Sequence, residues 1–372
     1  VLREKLDYRP AISNAFSHAI SIGPFANKAP KVKKSAFPAL PNEENTPRVR
    51  AFLRKYAYER RNTTKTYLSS LGPYLPMLKQ QARDNGLPEE MSYLVMLESG
   101  SDPEARSPAN ALGMWQFMPA TARSYGLRVD RWVDERLDPT KSTRAAMLYL
   151  KDLYGMFGCW RLAISGYNSG ENKLNQVLCQ EDAQEYHEIC SSPRLKRETK
   201  EFFPKFLALT IIAKDPLKYG FSPIPENQQE EKHEQVSIRG SYSLETLAKA
   251  AGVQPERLAQ LNPSLVRGMT PPEGAPHSLR LPIGTRGNLL AKLDRVPEEK
   301  AKTHLTHVVT RGDNVLRILK RYKVSKTQLA KANPDLNLRR KLPQGTRIVV
   351  PLEKTPEKNQ ALTGRMSKAI ND

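Results

Sequence analysis

Between Pro47 and Tyr219 apolar residues return every third or fourth position and almost never every second, which confines this stretch to packed helices. Segments with that spacing run over 48–59, 65–85, 88–97, 119–125, 141–157, 160–168, 170–177 and 197–214, with Gly or Pro at most of the breaks between them. A half-buried strand needs alternation of apolar and polar residues, and alternation is nearly missing here. The expectation for 47–219 is an all-α domain large enough to hold an active site.

The pattern changes after Tyr219. Residues 220–235, with Pro223, Pro225 and the polar run Glu226-Asn227-Gln228-Gln229-Glu230-Glu231, read as an exposed linker. A strand candidate at 236–238 follows, then short helices at 244–251 and 255–261, a stop at Asn262-Pro263 and a second strand at 278–282. The same order returns with a strand at 307–309, helices at 314–322 and 326–332, a stop at Asn333-Pro334 and a strand at 347–351. This is an internal β-α-α-β repeat of roughly 50 residues in two copies. We place the copies at 236–285 and 304–351, joined by a linker over 286–303. Residues 1–46 form an irregular, Pro-punctuated basic arm, and 352–372 a disordered polar tail. The fold class expected is α+β multidomain, an all-α domain followed by small βααβ modules.

The formal net charge is +20, which favours a polyanion or acidic surface as partner over a neutral small molecule. Nucleic acid is the first polyanion to weigh. The basic residues are spread over the whole chain, aromatic residues are 7%, and no helix-turn-helix, zinc-finger or RNA-binding signature occurs, so nucleic acid is set aside. Cys159, Cys179 and Cys190 lack CxxC spacing, which argues against zinc. Cys179 and Cys190 flank a short polar stretch and close a small disulfide only in an oxidising compartment, a choice the sequence leaves open. His304 and His307 have the spacing of a metal pair on a helix but fall at a strand entry with no third ligand near, so no metal and no cofactor is expected.

One carboxylate is out of place. In Pro88-Glu89-Glu90-Met91-Ser92-Tyr93-Leu94-Val95-Met96-Leu97-Glu98, a Pro and acids at the start signal a helix, and Met91, Leu94 and Val95 put Glu98 on their apolar face. A carboxyl so placed resists ionisation, and a pKa raised to ~6 is what lets a glycosidase Glu donate a proton. The plainer alternative is a core carboxylate paired with a cation.

Four motifs follow in order. Glu98-Ser99-Gly100 precedes Ser107-Pro108-Ala109-Asn110-Ala111-Leu112-Gly113-Met114-Trp115-Gln116-Phe117-Met118-Pro119-Ala120-Thr121, and then come Gly166-Tyr167-Asn168 and Glu198-Thr199-Lys200-Glu201-Phe202-Phe203-Pro204. This arrangement resembles the soluble lytic transglycosylase family, which has the goose-type lysozyme fold. The second repeat resembles the LysM module, a peptidoglycan- and chitin-binding domain, through His307-Val308-Val309, Arg311-Gly312-Asp313-Asn314, Asn333-Pro334 and Leu342-Pro343-Gln344-Gly345-Thr346-Arg347-Ile348-Val349-Val350-Pro351. The first repeat is a degenerate copy that lacks the Gly-Asp step. About a dozen Lys and Arg against Asp313 and Asp335 over 301–351 fit an anionic polymer.

The resemblance implies a lytic transglycosylase acting on the GlcNAc–MurNAc polymer of peptidoglycan from the periplasm or cell envelope, as a monomer. Outer-membrane association stays open. It implies Glu98 as catalytic acid and then base, with Tyr167 as an orienting group. Ser107, Met114, Gln116, Tyr167, Asn168 and Glu198 match substrate-binding positions. Phe202 stands where the pattern usually has Tyr, and Gly166 where it has Ala. Trp115 is the best placed of the three tryptophans to stack a sugar, with core burial as its alternative. A hydrolytic muramidase is the competing enzyme if Asp102 or Glu104 reaches the cleft, and a non-catalytic wall-binding protein is the competitor from another class.

Overall fold

A computed structural model of the chain describes residues 37–225, 232–272, 276–296, 304–309, 313–322, 324–338, 340 and 342–351. Most of the basic arm, the polar run 226–231, Arg311-Gly312 and the tail 352–372 lie outside the described residues.

The helical part starts with α1 (Pro47–Arg54), whose N-cap Thr46 takes the Val49 amide on its hydroxyl, and a π-helical turn Lys55–Glu59 continues it. Then come α2 (Arg61–Leu71), α3 (Leu75–Asp84), α4 (Leu94–Ser99), α5 (Pro119–Ser124), α6 (Pro139–Phe157), α7 (Trp160–Ser169), α8 (Glu171–Gln180), α9 (Tyr186–Ile189) and α10 (Arg197–Lys214). The single helix expected over 65–85 is two, because Gly72-Pro73 interrupts it. Apolar stripes of these helices close one core running from Val49 to Phe221. The described end of the arm covers this core. Pro38 accepts the Trp160 indole N–H at 2.8 Å, Phe37 meets Tyr154 edge-on, and Glu43 pairs with Arg161.

The first repeat is β1 (His233–Ile238), α11 (Leu244–Ala251), α12 (Pro255–Leu261) and β2 (His277–Pro282), the strands antiparallel with Val236 opposite Leu279. The second is β3 (His304–Val308), α14 (Val315–Tyr322), α15 (Lys326–Ala332) and β4 (Arg347–Pro351), with Thr306 opposite Val349. Between them lies α13 (Arg286–Leu293). It begins where a linker was expected, and it buries Leu289 in the first module's core. Strand β1 likewise begins inside the expected linker.

The Asn-Pro stops have a second role. Asn262 donates its amide to the carbonyls of Leu258 and Arg280 at 2.8 Å each and accepts the Arg280 N–H at 2.9 Å. Asn333 repeats this, donating to Leu329 and Val349 and accepting the Val349 N–H. In each module one amide side chain ends the second helix and clips it to the last strand.

The first module is continuous with the helical domain. Trp132 and Val133, on the loop before α6, are part of the module's core, and Val133 pairs with Leu265. The Asp134 N–H donates to Ser264, the Val266 N–H to Trp132, and Arg280 pairs with buried Asp138 at 2.8 Å. Asp138 also caps α6 by accepting the Lys141 N–H.

Candidate active site

Pro88 does not open an α-helix. Its ψ of 136° is extended, a 3-10 turn covers Glu89–Tyr93, and α4 begins only at Leu94. Glu98 therefore sits in the last turn of a short helix. Gly100 ends that helix at φ 69°, with its N–H on the Met96 carbonyl and the Ser101 N–H on Val95. A Cβ at Gly100 would also stand 2.5 Å from the Tyr67 ring, so glycine is required there twice over.

Glu98 is part-buried, and no hydrogen bond to its carboxyl exists among the described residues. Burial pushes its pKa from 4.5 up to about 8, and the negative charge of Glu198 pushes the same way. Its own charge in turn acts on the phenols of Tyr167 and Tyr149, so the carboxyl lies where α4, α6, α7 and α10 converge. Asp102 and Glu104 act instead on Tyr74, and Asp102 spends an oxygen on the Glu104 N–H. The acid that matters to Glu98 is Glu198, exposed in the first turn of α10.

The loop 105–117 forms the neighbouring wall. Gly113, at φ 80°, lets the chain pass Arg136, whose carbonyl would lie 2.0 Å from any Cβ there. Gln116 takes a left-handed φ of 48° and donates to the carbonyls of Ala105 and Gly113, so it stitches the loop. Ser107 accepts the Ala111 N–H at 2.9 Å, and Ser99 donates to the Met114 carbonyl at 2.9 Å. Met114 and Trp115 are both 0% exposed. The methionine side chain lies beneath the wall, and its backbone carbonyl is the part that meets Ser99. Trp115 is core, with its indole N–H on Thr143, so it offers no sugar platform.

Tyr167 does not hydrogen-bond Glu98. It donates to the Trp115 carbonyl at 2.9 Å, and Asn168 accepts the Thr199 hydroxyl at 2.8 Å, which ties α7 to the loop on one side and to α10 on the other. Phe117 and Tyr167 stand 6.3 Å apart, Tyr149 and Tyr167 5.1 Å, and Tyr125 and Tyr149 5.0 Å, a run of rings leading away from Glu98. Tyr149 and Tyr125 donate to the carboxylates of Glu171 and Asp152, and burial first, then those charges, holds both phenols well above their ordinary range.

Sequence reasoning missed Tyr149, Glu171 and Arg136. Tyr149 sits on the inward stripe of α6, which was its one readable signal. Arg136 is 4% exposed; its fork grips Asp134 at 2.9 and 2.7 Å, and its third nitrogen donates to the Asn110 and Phe117 carbonyls at 2.9 Å each. It holds the loop 105–117 from behind. The three cysteines are free thiols, so Cys179 and Cys190 are not joined. His307 of the second module meets the Tyr322 hydroxyl at 2.9 Å and the Asp313 carboxylate at 3.1 Å.

As a chemical device the site offers one enclosed carboxyl, kept protonated near neutral pH, beside a wall of backbone and aromatic surface. Such a group can donate a proton to an ether oxygen and afterwards accept one.

Residues 76–190 match the model of the transglycosylase SLT domain, 232–298 that of the LysM-like domain of lytic transglycosylase MltD, and 307–351 that of the LysM domain. Over 211 residues, 56% of this chain and 46% of the other, the chain is 33% identical to the membrane-bound lytic murein transglycosylase D of Escherichia coli K12. It is 42% identical over 101 residues to the peptidoglycan transglycosylase gp16 of Escherichia phage T7, 26% of this chain and 8% of that protein. The chain thus spans less than half the length of the Escherichia coli relative. Among solved structures it is similar to the 70 kDa soluble lytic transglycosylase of Escherichia coli, with a TM-score of 0.34, 22% identity, and coverage of 41% of this chain and 25% of that one.

Proposed function

We propose, from the premise that this chain carries a transglycosylase SLT domain followed by two LysM-type modules, that it is a lytic transglycosylase of peptidoglycan. The observation that carries this reading is Glu98, a part-buried carboxyl held protonated near neutrality and without a hydrogen-bond partner among the described residues.

In the proposed reaction Glu98 donates its proton to the oxygen joining MurNAc C1 to GlcNAc. The C1–O bond breaks and GlcNAc leaves with a free 4-hydroxyl. Glu98, now a carboxylate, takes the proton of the MurNAc C6 hydroxyl as that oxygen closes onto C1, which gives a 1,6-anhydro end and restores the acid. The nucleophile is intramolecular, so its effective concentration is high and no water has to be placed. No cofactor enters these steps. Ser107, Gln116, Asn168 and Glu198 are proposed to line the glycan site, with Tyr167 acting through the loop it holds. Met114 supports that loop from beneath.

Glu198 favours one competing reading, hydrolysis, because a second acid acts on Glu98 electrostatically. Mass spectrometry of the products decides between them. Anhydro-terminated fragments, lighter by one water, support transglycosylation; reducing ends show a muramidase, and intact strands show a wall-binding protein.

The LysM-type modules are proposed to hold the enzyme, a monomer, on the polymer in the cell envelope. No described helix is long and apolar enough to cross a membrane. Removing 304–351 is expected to weaken action on whole sacculi more than on short soluble strands, since tethering raises local concentration.

A further inference from the structure

A basic groove of about 910 Å3 lies between α1 and the start of α10, outside the site described above. Four of the cations lining it, Arg48, Arg50, Lys55 and Lys200, have no acidic partner among the described residues. Both acids in the groove are already engaged: Glu59 with Arg54 at 3.5 Å, and Glu201 with Arg197 and Lys205 at 2.6 and 3.0 Å. Part of the lining is apolar, from Ala51 and Phe52. The groove therefore suits a slender ligand with several carboxylates and small apolar groups between them.

We infer that this groove binds the carboxylates of the peptide stem attached to the glycan strand, an assignment that rests on the reading of the chain as a peptidoglycan enzyme. Position supports it. Arg197 of the groove is next in sequence to Glu198, the acid whose charge reaches Glu98, so the groove begins one face of α10 away from the reacting centre. A four-residue peptide spans up to ~13 Å, about two turns of helix, so a stem attached to a sugar beside Glu98 can run along α10 toward the groove. Peptide stems carry more carboxylates than amines, and their alanine methyls match the apolar part of the lining. Arginines at 48 and 50 present the planar fork that carboxylates accept. A concave groove also fits a narrow peptide better than the flat surface of an anionic membrane.

The test uses the full chain carrying Glu98→Gln, which binds without cutting, and soluble glycan oligomers with their stems or stripped of them by an amidase. The expected result is ~10-fold tighter binding of the stem-bearing oligomer at low salt, with the ratio falling toward one when Arg48→Glu, Arg50→Glu and Lys55→Glu are added. High salt should reduce the ratio in the same way. An unchanged ratio in the triple variant, or no preference for stems at all, overturns the assignment while leaving the parent reading intact. Failure of both oligomers to bind overturns the two together. Preferential, charge-dependent binding of the groove to vesicles of phosphatidylglycerol, with no stem preference, would reassign it to membrane contact. Melting curves and cleavage of stripped strands by the triple variant in the Glu98 background report that it is folded.

Discussion

Arg136 grips Asp134 through two nitrogens, at 2.9 and 2.7 Å, inside the protein, and this pair links the first module to the wall of the candidate site. The Asp134 backbone N–H is held by Ser264 of the module, while the free nitrogen of Arg136 holds Asn110 and Phe117 of the loop. Breaking one partner leaves a buried charge alone. Arg136→Ala or Asp134→Asn is expected to cost about 3–5 kcal/mol in urea unfolding and to lower cleavage in the fraction still folded. A loss below about 1 kcal/mol would show that water replaces the pair.

Glu98 is expected to set the pH dependence of cleavage. Its pKa is raised from 4.5 to about 8 by burial and by Glu198, so cleavage should hold through neutrality and fall as pH rises through about 8. Glu198→Gln removes the like charge and should move that limb to lower pH. The native state keeps a proton that the unfolded chain releases above its ordinary pKa, so stability should decline as pH climbs between those values. Glu98→Gln is expected to abolish cleavage, raise the melting temperature at neutral pH and flatten that slope. An identical slope in parent and variant would refute the assignment.

Gly166→Ala tests the packing behind Tyr167. The added methyl would lie 2.8 Å from the Phe157 ring and 3.3 Å from Leu153. Overpacking of this kind costs about 1–3 kcal/mol. Phe157→Leu in the same chain should recover part of the loss, measured by thermal melting with activity followed alongside.

His277 is expected to make the module junction acid-sensitive. Burial, then the charges of Lys141 and Arg128 from the helical domain, lower its pKa from 6.5 to about 4. The unfolded chain takes up a proton in that window before the folded one does, so stability should fall as pH drops from 6.5 toward 4, by at most about 3 kcal/mol. His277→Asn should flatten that slope in melting curves taken across the window.

Much of this architecture is legible in the amino-acid sequence because it is local. Three-to-four spacing depends on residues one turn apart, so it marks the helices 244–251, 255–261 and 326–332 at the bounds the structure shows. The misplaced carboxylate at 98 was visible for the same reason. Even local rules erred where a single dihedral decides: Pro88 went extended, and a 3-10 turn took the place of the first α-turn. The segment 286–293 looked like linker because it presents little more than one buried leucine.

Tertiary structure alone decided what each polar group does. Tyr167 could have reached Glu98 but bonds the Trp115 carbonyl, 52 residues away in sequence, and Trp115 turned inward to Thr143. Trp132 and Val133 belong by sequence to the helical domain and by packing to the next module. Periodicity encodes which face of an element is buried. Hydrogen-bond partners and shared cores depend on which distant segments meet, and that is fixed only when the chain closes on itself.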